Sequence, residues 1–146
     1  MQYKSDYKAS REREIEAEKR LQDLKFLTEN SSLKGRFTDW DLSVTSSTSG
    51  KAYTIEVKLN RTPENEAFIE LGQYIENVLH PSGLSDTKAS HHLLTFLGDH
   101  QMYMIKTPVL KKLIAQRKYL KTHIDRNGYL LAIFNREDLL SYCNIL

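Results

Sequence analysis

Residues 52–58 constrain the fold of this chain more than any other segment. Their sequence, Ala-Tyr-Thr-Ile-Glu-Val-Lys, alternates around β-branched and aromatic side chains, which predicts a β-strand. Because side chains alternate across a strand, Glu56 and Lys58 project to one face and their apolar neighbours to the other. Charged side chains on an otherwise apolar strand are costly to bury unless they pair or bind a ligand. The strand therefore predicts a half-buried sheet with a functional site at its end.

A second short apolar run, residues 42–44, precedes this strand and directly follows Asp41. Residues 45–50, between the two runs, consist of Ser, Thr and Gly, a composition that predicts a turn. The two strands would form a hairpin that brings Asp41 alongside Glu56 and Lys58. Two carboxylates and an ammonium group at the ends of paired strands indicate a hydrolytic site that uses a divalent metal.

The same residues resemble the PD-(D/E)XK nuclease superfamily, which has the restriction-endonuclease-like fold. Asp41 corresponds to the metal-binding Asp of that family, and Glu56-Val57-Lys58 corresponds to its Glu-x-Lys motif. The family usually has Pro before the Asp, whereas this chain has the sequence Thr-Asp-Trp-Asp over residues 38–41. Asp39 is therefore the alternative ligand, and Asp41 is preferred because it directly precedes the apolar run.

The resemblance implies a nuclease that hydrolyses phosphodiester bonds in DNA with Mg²⁺ or Mn²⁺. Asp41, Glu56 and the backbone carbonyl of Val57 would hold the metal. Lys58 would orient the attacking water or offset charge in the transition state. The same resemblance leaves three kinds of enzyme open, namely a junction resolvase, a phage or prophage DNA-processing nuclease and a restriction-type endonuclease.

Residues 8–28 are predicted to form the first helix, with Ser10 as its N-cap and several glutamates near its positive end. In the family that the chain resembles, a Glu of this helix often supplies a further metal ligand or positions water. Glu14 fits that role, because it lies on the apolar stripe of the helix, and Glu18 is the alternative. Glutamates that only solvate the helix would give the same pattern. The stripe comprises Ala17, Leu21, Leu24 and Thr28.

Residues 67–71 are predicted to form a third strand, and the loop at 81–89 follows it. This part resembles a phage-type branch of the same nucleases, in which a strand ending in Ile-Glu leads to a Ser-Gly…Thr-x-Ala loop. The Thr-Gly-Asn that this branch carries between its strands is replaced here by Pro-Glu-Asn at 63–65. The resemblance adds Glu70 to the acidic cluster. It assigns phosphate contacts to Ser82, Gly83, Thr87 and Lys88, although an ordinary polar loop has the same composition.

Two further strands are predicted at 90–97 and 101–106, antiparallel to each other and joined by a turn at 98–100. A last strand is predicted at 129–134, followed by a short helix at 137–142 with Asn135 as its cap. His91 and His92 are adjacent on a strand and face opposite ways, so they cannot bind the same ion. We expect each to be a surface histidine or a hydrogen-bonded core histidine.

Residues 107–121 are predicted to form a basic helix, with Thr107 as N-cap and Pro108 at the first helical position. Residues 100–126 contain seven Lys or Arg and one acid, whereas residues 31–99 contain six and nine acids. That distribution suits a metal-using enzyme that acts on a polyanion, although a solvated helix face is the alternative. The predicted buried stripe is Val109, Leu110, Leu113, Ile114 and Leu120. The predicted DNA-backbone contacts are Lys111, Lys112, Lys118 and Lys121.

The 146 residues are predicted to form one α/β domain over 1–146, with a mixed, mostly antiparallel sheet flanked by helices. The single cysteine, Cys143, excludes an internal disulfide and fits a reducing compartment. The resemblance to phage-type nucleases implies a cytoplasmic location in a bacterium or a phage-infected host. We expect DNA as the partner, no membrane association, and a monomer or a homodimer. The alternative function is a catalytically inactive DNA-binding or regulatory protein of the same fold.

Overall fold

This computed structural model describes residues 2–24, 26–30 and 41–146 of the chain. Side chains are described for residues 8–24, 26, 28 and 41–146. Within these ranges the helices are α1 (Gln2–Asp23), α2 (Thr107–Ala115) and α3 (Arg136–Leu140), and a 3-10 turn spans Gly83–Ser85. The strands are β1 (Phe26–Asn30), β2 (Leu42–Ser46), β3 (Ala52–Asn60), β4 (Glu66–Ile75), β5 (Val78–Pro81), β6 (His91–Phe96), β7 (Met102–Lys106), β8 (Lys121–Ile124), β9 (Tyr129–Asn135) and β10 (Asn144–Ile145).

The strands form two sheets, where the sequence predicted one. The larger has the order β1-β2-β3-β6-β7-β10, and the smaller has the order β5-β4-β9-β8. Among the described strands, β3 and β6 pair in parallel and the other pairs are antiparallel. β4 belongs to the smaller sheet because its apolar residues pair with those of β9, which comes more than fifty residues later in the chain. The predicted α/β class with mixed, mostly antiparallel strands flanked by helices is confirmed.

The two sheets are joined at the end of β3. The side chain of Asn60 is 6% exposed, and its Oδ1 accepts a hydrogen bond of 3.0 Å from the backbone N–H of Phe68 on β4. A buried amide that binds a backbone group across two elements fixes their relative position, because breaking the bond would leave both groups unsatisfied. The bond between Asn60 and Phe68 therefore holds the first residues of β4 beside the end of β3, the strand that carries Glu56 and Lys58.

Helix α1 packs on one face of the larger sheet, where Ala17 and Leu21 are buried against apolar residues of β2, β3, β6 and β7. It begins at Gln2, so Ser10 lies inside the helix and its prediction as N-cap is wrong. The helix ends at Asp23, and Thr28 belongs to β1, which pairs with β2. Pairing with an exposed sheet edge satisfies the backbone of β1 and outweighs the helical spacing of its apolar residues.

Helix α2 packs between the two sheets, with Leu110 and Leu113 buried in a core that includes Phe96 and Phe134. It ends at Ala115 rather than at residue 121, and Arg117 has φ +54. The next residues form β8, which pairs with β9, so the predicted helix is too long. The predicted buried stripe is wrong for two residues, because Val109 is 36% exposed and Leu120 is 63% exposed.

Several local predictions are confirmed. β2 and β3 form an antiparallel hairpin, β6 and β7 are antiparallel, and Asn135 caps α3 by accepting a hydrogen bond of 3.0 Å from the N–H of Asp138. Thr107 is the first residue of α2 rather than its cap. No described helix is long and apolar enough to cross a membrane. The predicted approach to the first strand, including Asp39, lies outside the described residues.

Candidate functional site

The register of the β2–β3 hairpin places Asp41 opposite Glu56. Leu42 pairs with Ile55, so the preceding residue, Asp41, lies beside the residue that follows Ile55. The backbone N–H of Asp41 donates to the Ile55 carbonyl at 2.9 Å, and its Oδ2 accepts from the Val57 N–H at 2.8 Å. Asp41 is therefore held by its backbone and by its side chain, as the hairpin prediction required.

The carbonyl of Val57 lies on the same side of β3 as Asp41. In a strand, the N–H and the C=O of one residue point towards the same neighbouring strand. The N–H of Val57 is bound to the carboxylate of Asp41, so its carbonyl is directed past the start of β2. Oxygen atoms from Asp41 and Val57 are thus brought to one edge of the sheet.

Glu56 is held by two neighbours. Its Oε2 accepts a hydrogen bond of 3.1 Å from Thr87 Oγ1, and its Oε1 lies 3.9 Å from the Nζ of Lys58. The Thr87 hydroxyl also accepts a hydrogen bond of 3.1 Å from the N–H of Ala89, which fixes the hydroxyl proton toward Glu56. Thr87, which the sequence assigned to phosphate, therefore positions the carboxylate in this structure.

The backbone of Lys58 is held in place, whereas its side chain is partly exposed to solvent. Its backbone carbonyl accepts a hydrogen bond of 2.8 Å from Thr95 Oγ1, and Thr95 is fully buried. Its side chain is 40% exposed, whereas that of Glu56 is 16% exposed. Lys58 can therefore contact a ligand in solvent while the strand beneath it stays in place.

Burial and like charge raise the pKa values of both carboxyl groups. The pKa of Asp41 is raised from 3.8 to about 7, mainly by burial and then by the negative charges of Glu56 and Glu14. The Val57 N–H and the Lys58 ammonium oppose this rise. Burial is also the main cause of the raised pKa of Glu56, and Lys58 and Thr87 oppose it. The cluster is therefore short of positive charge at neutral pH.

Glu14 approaches this cluster from α1. Its side chain is 12% exposed and lies 3.4 Å from Arg11, and its charge raises the pKa of both Asp41 and Glu56. The charge of Glu14 thus acts on both carboxyl groups, whereas the Oε2 of Glu18 is buried without a hydrogen-bond partner among the described residues. Glu70 also raises the pKa of Glu56, which agrees with its expected membership of the acidic cluster.

The described residues contain no group of three His, Cys, Asp or Glu side chains that could hold a metal ion. Glu14 is thus an electrostatic neighbour rather than a ready third ligand. Asp41, Glu56 and the Val57 carbonyl remain as an oxygen donor set. Mg²⁺ is commonly bound through one or two carboxylates and completes its shell with water and substrate phosphate. The donor chemistry therefore fits such an ion.

His92 lies beside Glu56, and sequence reasoning missed its relation to the site. The parallel pairing of β3 with β6 aligns the two residues. His92 is 2% exposed, its Nδ1 lies 2.9 Å from Thr107 Oγ1, and its Nε2 has no hydrogen-bond partner among the described residues. Its pKa is lowered to about 3 by burial and by the charges of Lys58 and Lys111. His92 is thus a core histidine, but only one of its nitrogens is bonded.

A cavity of about 260 Å³ adjoins Lys58. Its lining includes Lys58, Glu70, Gly83 and His92. Gly83 has φ +57, and a Cβ there would lie 2.5 Å from the Glu70 carbonyl oxygen, so only glycine fits this wall. The sequence signal for this wall was the Ser-Gly pair, but the position of Glu70 behind it was not predictable locally.

The remaining residues that were predicted to bind DNA are spread over the segment at 82–88, helix α2, the turn that follows it and strand β8. Lys111 and Lys112 are exposed on α2, and the charge of Lys111 contributes to the lowered pKa of His92. Lys88 is exposed, whereas the Oγ of Ser82 is buried without a partner among the described residues. Lys118 and Lys121 are exposed beyond the end of α2, so the four helix lysines do not form one helical face.

Comparisons of the chain with protein-family models, with curated proteins and with solved structures found no match. The functional interpretation therefore depends on the residues and contacts of the site.

Proposed function

We propose that this protein is a metal-dependent DNA nuclease of the PD-(D/E)XK type with a restriction-endonuclease-like fold. The observation that carries the proposal is the hairpin register, which sets the half-buried carboxylates of Asp41 and Glu56 side by side with Lys58 at 3.9 Å from Glu56. A pair of carboxylates whose pKa values are raised by burial and mutual repulsion gains stability from a bound cation.

Each residue has a role in the proposed reaction. Asp41, Glu56 and the Val57 carbonyl would hold Mg²⁺ or Mn²⁺, and Thr87 keeps Glu56 oriented. When bound, the ion supplies Lewis-acid polarisation of the phosphate and a lowered pKa of coordinated water. The Lys58 ammonium would orient the attacking water or donate a hydrogen bond to a non-bridging phosphate oxygen, and so offset the negative charge that the phosphate gains as the water adds to phosphorus.

The acidic surroundings explain why a cation would strengthen DNA binding at the site. Asp41, Glu56 and Glu14 repel phosphate, and Arg11 beside Glu14 and Lys58 beside Glu56 offset only part of this negative charge. A bound divalent ion would add positive charge next to these carboxylates, so that the site would bind substrate phosphate more tightly. Glu14 would then serve a second ion or the water around the first. The proposal includes a role in phage or prophage DNA processing. The kind of DNA that the enzyme cleaves is part of the same proposal.

A catalytically inactive DNA-binding relative is the second candidate. The lack of a three-side-chain metal group among the described residues favours it, since Glu56 and Lys58 would then form only an ion pair. The two candidates differ in metal binding as well as in cleavage. Only the nuclease predicts that Mn²⁺ binds at Asp41 and Glu56 without DNA.

The deciding experiment combines a cleavage assay and a metal titration. Plasmid, single-stranded and four-way-junction DNA are incubated with the protein and Mg²⁺ or Mn²⁺, and Mn²⁺ affinity is measured by water proton relaxation. Asp41→Asn and Glu56→Gln should abolish cleavage and weaken Mn²⁺ binding. Replacing Lys58 by Met should lower the cleavage rate by about 10²–10³-fold while keeping Mn²⁺ binding.

The matched control is Glu76→Gln, which removes an exposed carboxylate at the β4–β5 turn. It should cleave and bind Mn²⁺ like the wild type. Cleavage that persists in excess EDTA, or that survives in both carboxylate variants, would rule out the proposed site. A protein that cleaves none of the three substrates and does not bind Mn²⁺ at Asp41 and Glu56 would favour the inactive relative.

A further inference from the structure

We propose that the cavity beside Lys58 binds one unstacked nucleoside of the substrate, with its base inside and its phosphate toward Lys58. This inference rests on the proposed nuclease function for its choice of nucleic acid as ligand. It adds a base-binding site that the metal-binding residues do not require. It also predicts that the preferred substrate is single-stranded or has a base displaced from its stack.

The size of the cavity suits a single nucleoside. Its volume of about 260 Å³ lies just below the roughly 300–1,000 Å³ of pockets that hold drug-sized ligands. A duplex could not enter such a space, whereas one base with its sugar could. The cavity adjoins Lys58, so a nucleoside inside it would have its phosphate near the proposed metal-binding carboxylates.

The lining of the cavity favours an aromatic, uncharged group over a second phosphate. Phe68, Leu84 and Leu131 contribute apolar surface, and Phe68 offers a ring on which a base can stack. Glu70 in the same wall carries a negative charge that would repel phosphate. The positive groups of the lining are Lys58, near the end of β3, and Arg61, which follows the last residue of that strand.

His92 supplies a hydrogen-bonding group in this wall. Its side chain is 2% exposed. Its Nδ1 is hydrogen-bonded to the hydroxyl of Thr107, and its Nε2 has no hydrogen-bond partner among the described residues. A buried, unbonded nitrogen costs stability, so its retention calls for a partner. An imidazole nitrogen can donate to, or accept from, the polar edge of a base, so the unbonded Nε2 suits such a contact. Nε2 is closed to solvent, so the contact with a base requires a side chain of the cavity wall to move aside as the ligand enters.

The test is an NMR titration of the full-length protein in EDTA with each of the four deoxynucleoside 5′-monophosphates. Deoxyribose 5-phosphate, which has the sugar and phosphate without the base, is the matched probe. We expect nucleotides to shift the amide signals of Leu59, Phe68 and Gly83, and deoxyribose 5-phosphate to bind at least about fivefold more weakly. Equal binding of the two kinds of probe would overturn the inference in favour of a phosphate site.

Two pairs of variants locate the ligand. Leu131→Trp fills the cavity from a half-buried wall position and should abolish nucleotide binding, while Leu130→Trp, one residue away and not in the lining, should not. His92→Phe should weaken binding about fivefold, the effect of one lost hydrogen bond, whereas Thr107→Val should keep nucleotide affinity because Nε2 is still present. Unchanged binding in Leu131→Trp would refute the cavity. Equal affinities in His92→Phe and the wild type would refute the histidine contact.

This assay separates the inference from the proposed function, since it uses no metal and detects no cleavage. Nucleotide binding in a protein that cuts no DNA would remove the nuclease and leave the cavity assignment intact. Cleavage of single-stranded DNA at the wild-type rate by Leu131→Trp would remove the cavity assignment and leave the nuclease intact.

Discussion

Replacing Asp41 by Asn should change how stability depends on pH, because the folded chain raises the pKa of this group from 3.8 to about 7. Between about pH 4 and pH 7, the unfolded chain has lost the Asp41 proton while the folded chain still holds it. The free energy of unfolding therefore falls as pH rises through this window. Asparagine keeps the shape and the acceptor for the Val57 N–H but cannot ionise, so the variant should not show that loss.

The magnitude follows from the shift of about three units at 1.36 kcal/mol per unit, which is about 4 kcal/mol. His92 acts with the opposite sign. Its pKa is lowered from 6.5 to about 3, so stability is lost as pH falls through that range. The two effects partly cancel in the wild type. The quantity to measure is therefore the difference between Asp41→Asn and the wild type, to which His92 contributes equally in both.

Urea unfolding in EDTA, followed by circular dichroism from about pH 4 to pH 8, gives this difference. We expect it to rise by about 4 kcal/mol in favour of Asp41→Asn as pH increases. Asp86→Asn, which removes an exposed aspartate, should give a nearly constant difference. Adding Mg²⁺ at pH 8 should stabilise the wild type more than Asp41→Asn. A difference that stays flat across the range would refute the idea that burial and repulsion destabilise the Asp41 carboxylate.

Three further predictions concern the residues around the site. Gly83→Ala should lower the free energy of unfolding by about 2–3 kcal/mol in urea unfolding, because φ is +57 and the new Cβ would clash with the Glu70 carbonyl. Gly50→Ala, where φ is +70 and the space is open, should lower it by only about 1 kcal/mol. Changing both Lys111 and Lys112 to Gln should flatten the dependence of log K on log salt by about 0.9 per lost phosphate contact in fluorescence-anisotropy titrations, and an unchanged slope would mean that they only solvate α2. Thr87→Val should raise the pKa of the carboxylate that it binds, measured by NMR titration, and should destabilise the protein by about 1–2 kcal/mol at pH 8.

The sequence predicted the part of the site that depends on local chemistry. Period-two alternation put Glu56 and Lys58 on one face of β3, and the Ser/Thr/Gly turn was enough to indicate the hairpin that brings Asp41 beside Glu56. The cap at Asn135 was predictable for the same reason, since its side chain bonds a group three residues away. Such features are determined within about fifteen residues of chain.

The features that were missed depend on pairing between distant strands. The parallel register that aligns His92 with Glu56 has no local signature. Lys121 fits the helical spacing of α2, but its segment gains more from pairing with β9 than from extending the helix. Thr28 is similar, because β2 provides an edge for its segment. Helical spacing was misleading at these two places because a sheet edge competed for the same backbone groups.

The hairpin that carries Asp41 and Glu56 is local, whereas the contacts that bury it are not, and this difference has a kinetic consequence. Thr87 reaches Glu56 across 31 residues, and Ser90 bonds to Thr54 across 36. Contacts that close long loops form later than local ones. The two carboxylates therefore meet while both are still hydrated, and they lose their water only as β6 docks. Above pH 7 this late dehydration of charge adds to the folding barrier, so a divalent cation that binds the open hairpin would also accelerate folding.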